Sequence, residues 1–191
     1  MLSVVLSGEQ LEVELAAGRV LCPDCGGPLS RWGFARSRVV RLRGQVRSHT
    51  PRRACCRGCA RTHVLCPSWM VPGRLDGAEV IGEALRLAVC GLGHRPIAAR
   101  LDRPPATVRG WLRTARAHAQ GLRECATRWV ACLDPAPGAV TAAGSQLGDA
   151  VEALMLAVRA WVLRFGRDLI GPWERAVWLT GGLLAAGRTP P

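Results

Sequence analysis

Two cysteine pairs of the form Cys-x-x-Cys, with 30 residues between them, restrict the folds open to this chain more than any other feature. Such a turn lets one short loop present two sulfur atoms about 2.3 Å from a zinc ion, and two turns complete a tetrahedral site. Both pairs carry glycines, which adopt the positive φ of tight turns freely: Gly26, Gly27 and Gly58. We therefore predict one structural Zn2+ bound by four residues: Cys22, Cys25, Cys56 and Cys59.

The same cysteines have three other interpretations: disulfides, a redox dithiol, or small buried side chains. Residues 1–7 carry neither the basic segment nor the cleavage site of a secretory signal, and nine cysteines are an odd number. Disulfides are therefore disfavoured, and a cytoplasmic location is expected. Neither pair precedes a helical apolar period, as a thioredoxin-like dithiol would. Cys55, His63 and Cys66 remain alternative ligands near the second pair. Three distant cysteines are expected to be buried thiols: Cys90, Cys125 and Cys132.

Positive charge is concentrated in the cysteine-rich segment. All 26 basic residues are arginine, which the codon bias of a GC-rich genome explains, so the placement of the arginines carries the information. Residues 19–66 hold 11 arginines against one acid, whereas residues 121–191 hold seven against six. This distribution is typical of a surface that binds a polyanion such as double-stranded DNA, although a solvated basic face is the common alternative.

Short apolar runs predict the organisation of the first segment. Residues 2–15 include apolar side chains that alternate with glutamate, the period of a half-buried strand. Small antiparallel strands are predicted at residues 31–34, 39–42 and 51–54, which are parted by glycine or polar turns. Residues 1–70 are therefore predicted to form an N-terminal strand and a zinc ribbon, a small β unit whose stability depends on its metal.

Helical periodicity follows a proline-containing linker and extends over residues 74–120. One helix is predicted from Asp76, a second over residues 94–101, and a third from Pro105, because proline is preorganised for the first turn of a helix. Three helices with a tight turn before the third form a helix-turn-helix, whose third helix lies in the major groove of DNA. The outward positions of that helix are predicted to be Ala106, Arg109, Gly110 and Arg113.

Three motifs carry a resemblance to known families: Cys22-Pro-Asp-Cys25-Gly26, the Arg52-Arg53 pair before Cys56-x-x-Cys59, and the run from Gly93-His94-Arg95-Pro96 to Thr107-Val108-Arg109-x-Trp111. Over residues 20–118 the chain resembles an actinobacterial family of zinc-ribbon and helix-turn-helix proteins of unknown function. That family is related to the N-terminal DNA-binding part of insertion-sequence transposases. The resemblance implies that the four paired cysteines bind zinc and that the third helix contacts DNA.

The chain departs from the usual helix-turn-helix pattern at Asp102, where glycine is usual, and at Arg103, where a small apolar residue usually packs. Aspartate enters the left-handed region more readily than most residues, so the first change costs little. Arg103 can turn outward to a phosphate, or it can mark a position whose constraint has relaxed. The predicted DNA contacts are Arg103, Ala106, Thr107, Arg109, Gly110 and Arg113.

The last segment, residues 121–191, is predicted to be a helical extension. A break near Pro135 precedes a helix whose apolar side chains recur from Val151 to Phe165, and a final helix is predicted over residues 173–186. The apolar stripe is expected to face the core, with a homodimer contact as the alternative. Arginines interrupt the first of these helices and the second is too short, so no membrane partner is expected.

Catalysis is not expected. The chain has no lysine for a GxxxxGK phosphate loop, and its last segment leaves no room for a nuclease domain with three metal-binding carboxylates. No small-molecule substrate is evident either. The predicted class is α+β, with a small β zinc ribbon, a mainly α helix-turn-helix domain and a C-terminal helical extension.

The predicted function is sequence-specific DNA binding by a transcriptional regulator on the bacterial nucleoid. A transposase-derived remnant or accessory DNA-binding subunit is one alternative. A zinc-stapled protein-interaction module is the other.

Overall fold

The computed structural model describes residues 2–134, 142–166, 169–182 and 184. Strands and helices are mixed along these ranges, so the predicted α+β class is confirmed. The strands are β1 (Leu2–Val4), β2 (Leu29–Phe34), β3 (Arg38–Arg41), β4 (Val46–His49), β5 (Arg52–Cys56) and β6 (Thr62–Pro67). The helices are α1 (Gly8–Ala16), α2 (Ala78–Val89), α3 (His94–Leu101), α4 (Pro105–Ala117), α5 (Ala119–Leu133), α6 (Gln146–Phe165) and α7 (Pro172–Leu179).

The N-terminal strand predicted over residues 2–15 is wrong beyond Val4, because helix α1 follows it. Ser7 and Gln10 form a reciprocal capping box, in which Ser7 Oγ accepts the Gln10 N–H (3.2 Å) and Gln10 Oε1 accepts the Ser7 N–H (3.0 Å). Leu11 and Leu15 lie one turn apart on the buried side of the helix. Their four-residue spacing satisfies a helix as well as a strand, and the cap selects the helix.

Four strands form the main sheet in the order β1-β6-β5-β2, with β1 parallel to β6 and the other neighbours antiparallel. Strands β2 and β5 overlap the strands predicted at residues 31–34 and 51–54, whereas β6 was not predicted. The second cysteine pair begins at Cys56, the last residue of β5, and continues to Cys59 in the connection to β6, so both ends of this turn are fixed in the sheet. A small core is shared by α1 and this sheet: Val4, Leu11, Leu15, Leu29, Ala54 and Leu65.

Strands β3 and β4 form a separate hairpin, with a turn in which the Leu42 N–H donates to the Gln45 carbonyl (2.8 Å). Strand β3 overlaps the strand predicted at residues 39–42, whereas the polar strand β4 was not predicted. The hairpin is attached to the segment before α2 through Arg41, whose N–H donates to the Leu75 carbonyl (2.7 Å) and whose carbonyl accepts the Gly77 N–H (3.0 Å).

Helices α2 to α7 contribute to one shared apolar core, which includes Ile81, Leu85, Trp111, Leu122, Leu154 and Val177. Helix α3 has the predicted bounds and α4 begins at the predicted Pro105, but α2 begins at Ala78 rather than at Asp76. Helix α4 ends at Ala117, and α5 begins at Ala119 after an interruption at His118. The division into units 74–120 and 121–191 stays a prediction.

Helix α6 ends at the predicted Phe165 but begins at Gln146, five residues before the first predicted apolar position, Val151. The α6 stripe faces the core at Val151, Leu154 and Val158. Helix α7 ends at Leu179, and residues 183, 185 and 186 of the helix predicted over 173–186 lie outside the described residues. Within the described ranges, no helix combines the length and apolar character needed to cross a membrane. The prediction of buried thiols is wrong for two cysteines, which are exposed: Cys90 and Cys132.

Candidate metal centre and basic helix face

The two Cys-x-x-Cys turns have the same backbone geometry. In the first, the Gly26 N–H donates to the Cys22 carbonyl (2.9 Å); in the second, the Ala60 N–H donates to the Cys56 carbonyl (3.1 Å). Gly26 and Ala60 both have left-handed φ, 71° and 59°. Because the two turns repeat one conformation, each presents its two sulfur atoms in the same way. The alanine adopts at some cost a conformation that the glycine adopts freely.

The four predicted sulfur ligands meet at one place. Cys25 Sγ lies 3.4 Å from Cys56 Sγ, and Cys22 Sγ lies 3.7 Å from Cys59 Sγ. All four sulfur atoms are within 4.8 Å of one another. A tetrahedral ion with metal–sulfur bonds of about 2.3 Å needs sulfur separations of about 3.8 Å. The cluster therefore has the size needed to coordinate one metal ion.

The surroundings of the sulfur atoms also fit a metal centre. A Cβ atom added at Gly27 would lie 3.2 Å from Cys56 Sγ and 3.4 Å from Cys25 Sγ, so this turn has little space for a side chain. The N–H groups of Cys59 and Gly58 donate to Cys56 Sγ (3.5 and 3.3 Å). These bonds lower the pKa of Cys56 to about 7, and the bond from the Cys59 N–H has the largest effect. The Cys56 thiolate is thus accessible near neutral pH, and the thiolate is the form that binds metal.

The alternative ligands lie around the four-sulfur cluster rather than inside it. His63 is buried, with Nε2 3.4 Å from Cys22 Sγ and 3.7 Å from Asp24 Oδ2, so it neighbours a ligand from outside. Ligand-contacting groups of this kind orient a metal site and tune its charge. Cys55 Sγ donates to the Ala60 carbonyl (3.5 Å). Cys66 is buried in β6, where burial raises the pKa of its thiol.

The outer face of α4 carries most of the predicted DNA contacts. Ala106, Arg109 and Arg113 are exposed, whereas Thr107 and Gly110 are half-buried. The opposite face is buried through Val108, Trp111, Leu112 and Ala115. Helix α4 contains no acidic residue. A Cβ atom added at Gly110 would meet no heavy atom within 4 Å, so the space over this position is open.

The turn between α3 and α4 contains the two unusual residues, Asp102 and Arg103. Asp102 is left-handed (φ 51°), as the sequence predicts. The Arg103 guanidinium does not extend outward: its Nε donates to Asp76 Oδ1 (2.7 Å) and its Nη2 donates to the Leu42 carbonyl (3.0 Å). Asp76 is only 2% exposed and also accepts a bond from Arg41 Nη2 (2.6 Å). A buried carboxylate needs such partners, so the Arg103 guanidinium is engaged inside the protein.

Asp76 is the structural residue that the sequence did not identify. It was predicted as the start of a helix, but it lies two residues before α2 and joins the β3–β4 hairpin to the turn before α4. One signal was available: Asp76 is the first acidic residue after Asp24, and the intervening residues include 11 arginines. A single acid after so long a basic stretch is a candidate for a buried ion pair.

The fold and the cysteine cluster together define a mixed α+β protein with a candidate four-cysteine metal site. Residues 22–100 match the family model described as Domain of unknown function (DUF6431). The matched range contains all four cysteines, the β3–β4 hairpin, α2 and most of α3, and it ends before α4. No curated protein and no solved structure gives a significant match to the chain.

Proposed function

We propose that the chain is a zinc-containing, sequence-specific DNA-binding protein that acts as a transcriptional regulator. The observation that carries the proposal is the outer face of α4, which has two exposed arginines one helical turn apart, open space over Gly110, and no acidic residue. A helix of this kind, preceded by a short helix and a tight turn, fits the major groove of duplex DNA.

Zinc is the ion proposed for the cysteine cluster. Four thiolates in a small tetrahedral cage favour zinc, which has no geometric preference of its own and no redox chemistry. When bound, the ion would stabilise the fold rather than take part in a reaction. The sheet around it has a small core, so the metal is expected to supply much of the stability of residues 20–66.

The zinc proposal is tested by metal analysis of the purified chain and of two double variants. Replacing Cys22 and Cys59 by serine is expected to abolish stoichiometric zinc and to unfold the β2–β5–β6 region. Replacing the exposed Cys90 and Cys132 by serine removes the same number of thiols far from the cluster in sequence and is expected to leave one zinc per chain. A full equivalent of zinc in the first variant would contradict the ligand assignment.

In the proposed complex, α4 supplies both affinity and specificity. Arg109 and Arg113 can each donate two hydrogen bonds to the O6 and N7 atoms of a guanine, and their positive charge also favours phosphate. Ala106 and Gly110 have small or no side chains next to Arg113 on the same side of the helix, so the backbone can approach the bases there. The protein would therefore bind DNA without chemical change to it.

The DNA proposal is tested with Arg109→Ala and Arg113→Ala in a duplex-binding titration. Each change is expected to lower affinity for a selected site by about 1–3 kcal/mol and to lower random-duplex binding less. The control is Arg159→Ala, an exposed arginine on α6 that is expected to have no effect on either. Equal losses on both duplexes would reduce Arg109 and Arg113 to phosphate contacts. An absence of salt-dependent duplex binding would favour a protein-interaction module instead.

A further inference from the structure

The turn of the β3–β4 hairpin presents positive charge beside the helices. It comprises residues 42–45 and contains Arg43, which is exposed. The sheet of this hairpin is separate from the main sheet, and no acidic residue occurs between Asp24 and Asp76.

Asp76 fixes this turn against the start of α4. Its carboxylate accepts Arg41 Nη2 from the hairpin (2.6 Å) and Arg103 Nε from the turn before α4 (2.7 Å). Arg103 Nη2 also donates to the carbonyl of Leu42, the residue before Arg43 (3.0 Å). Arg103 thus bonds directly to the hairpin turn and lies two residues before the first residue of α4. The position of Arg43 relative to α4 is therefore set by buried, charge-assisted bonds.

The hairpin side of α4 coincides with the open strip of that helix. Within α4, Thr107, Gly110 and Thr114 recur at three and four residues, so they lie along one side of the helix, and Arg103 lies two residues before its first residue. Arg103 contacts Leu42 of the hairpin turn. Thr114 accepts a hydrogen bond from Arg74 Nη2 (3.2 Å), and Arg74 precedes Leu75, whose carbonyl bonds to the hairpin. Thr107 and Gly110 lie between these two anchored ends. A rod-like partner seated over Gly110 would pass beside the hairpin turn.

A groove separates the hairpin turn from α2 and α3, and its charges indicate where a phosphate would bind. Arg43 and Arg100 both line the groove, and Glu83 lies on its α2 wall. The Glu83 carboxylate pairs with Arg86 (2.7 Å), and the pKa of Glu83 is lowered first by that bond and further by Arg43 and Arg100. Glu79 and Asp102 also line the groove, and these acids disfavour an anion inside it. Arg43 and Arg100 are exposed, so their guanidinium groups can reach an anion outside the groove.

We propose that the hairpin turn is a second duplex-DNA contact, in which Arg43 and Arg100 bind backbone phosphates while α4 lies in the adjacent major groove. This proposal rests on the proposed function. Phosphate contacts of this kind fix the register and orientation of a helix on the duplex without reading sequence. Asp76 is then a positioning residue, because it acts on the complex through Arg41 and Arg103.

The test is a salt titration of duplex binding with the full zinc-loaded chain and a 30-base-pair duplex, either selected or of random sequence. One phosphate contact contributes about 0.9 to the slope of log affinity against log salt. Between 50 and 200 mM salt, the wild-type chain is therefore expected to lose about 3.5-fold more affinity than Arg43→Ala. The reduction of the salt slope by Arg43→Ala should be the same on selected and random duplexes, because a phosphate contact does not read sequence.

Glu83→Gln is expected to change DNA affinity in the opposite direction to Arg43→Ala. It removes one of the carboxylates that compete with DNA for Arg43 and Arg100, so it is expected to raise affinity on both duplexes. Arg159→Ala, on the exposed side of α6, is the control and should leave affinity and slope unchanged. Unfolding midpoints of all variants show whether each remains folded.

The outcomes separate the two proposals. If the wild-type chain binds DNA and Arg109→Ala weakens binding, but Arg43→Ala leaves the salt slope unchanged, the hairpin contact is overturned and the α4 proposal stands. If the wild-type chain binds no duplex at any salt concentration, both proposals fail. A reduced slope for Arg43→Ala together with tighter binding by Glu83→Gln supports the hairpin contact.

Discussion

Gly110→Ala is expected to stabilise the protein and at the same time weaken its binding to DNA. Glycine inside a helix costs about 1 kcal/mol relative to alanine, because it loses more conformational freedom on folding. Gly110 lies in the middle of α4, and an added Cβ atom meets no heavy atom within 4 Å. The full gain of about 0.5–1 kcal/mol is therefore expected in urea unfolding of the zinc-loaded chain.

The same methyl group would occupy the space into which a base edge or phosphate is proposed to fit. We expect duplex affinity to fall about tenfold, a loss of about 1.4 kcal/mol. Gly121→Ala is the matched control, because Gly121 lies in α5 and an added Cβ atom there also meets nothing within 4 Å. The control should gain stability without losing affinity. Unchanged or tighter DNA binding by Gly110→Ala would refute the close approach of DNA to α4.

Three further changes test the supporting structure. Asp76→Ala should lower the free energy of unfolding by about 3–5 kcal/mol in urea titrations, because it leaves the guanidinium groups of Arg41 and Arg103 without their buried partner. A loss below about 1 kcal/mol would show that the ion pairs are dispensable. Glu174→Gln should stabilise the chain at pH 7 by more than at pH 4.5. Burial and then the nearby Glu79 raise the pKa of Glu174, so the Glu174 carboxylate destabilises the folded chain increasingly as pH rises above the pKa of the unfolded chain. An equal difference at both pH values would contradict this. Ala60→Gly should raise the thermal midpoint of the zinc-loaded chain, because glycine adopts the left-handed conformation of this residue without strain. The expected net gain in the free energy of unfolding is up to about 1 kcal/mol, and a lower midpoint would show that the turn tolerates the alanine without strain.

The cysteine cluster could be predicted because its determinants are local. Each turn is specified by a Cys-x-x-Cys spacing and by a residue able to adopt positive φ, four positions after the first cysteine of the pair. Gly26 fulfils this condition visibly in the sequence. Ala60 fulfils it in the structure, although alanine gives no such signal. The surroundings of the sulfur atoms were less predictable, since His63 reaches Cys22 across 41 residues of sequence.

The helices around α4 were predictable for a similar reason. Pro105 marks the first turn of α4, and Gly93 precedes α3, so the ends of both helices are set by residues next to them. Helix α1 is hard to predict because alternating apolar residues also repeat at four positions, and only the Ser7–Gln10 capping box distinguishes the helix from a strand.

The role of Arg103 could not be predicted from sequence. Its partners are Asp76, 27 residues away, and Leu42, 61 residues away, and both contacts depend on how the hairpin packs on the helices. An arginine at a helix-turn-helix packing position suggested either a phosphate contact or a relaxed constraint. Burial of Asp76 gives a third explanation, in which the arginine neutralises an acid inside the protein.

Selection of bound sequences from a random duplex pool, using the zinc-loaded chain and increasing salt in the washes, distinguishes sequence-specific from non-specific DNA binding. Sequence-specific binding by α4 predicts an enriched motif that Arg109→Ala and Arg113→Ala no longer select, and a palindromic motif would indicate two copies of the chain on one site. Retention of duplexes without any motif, lost uniformly as salt rises, would contradict sequence-specific binding by α4.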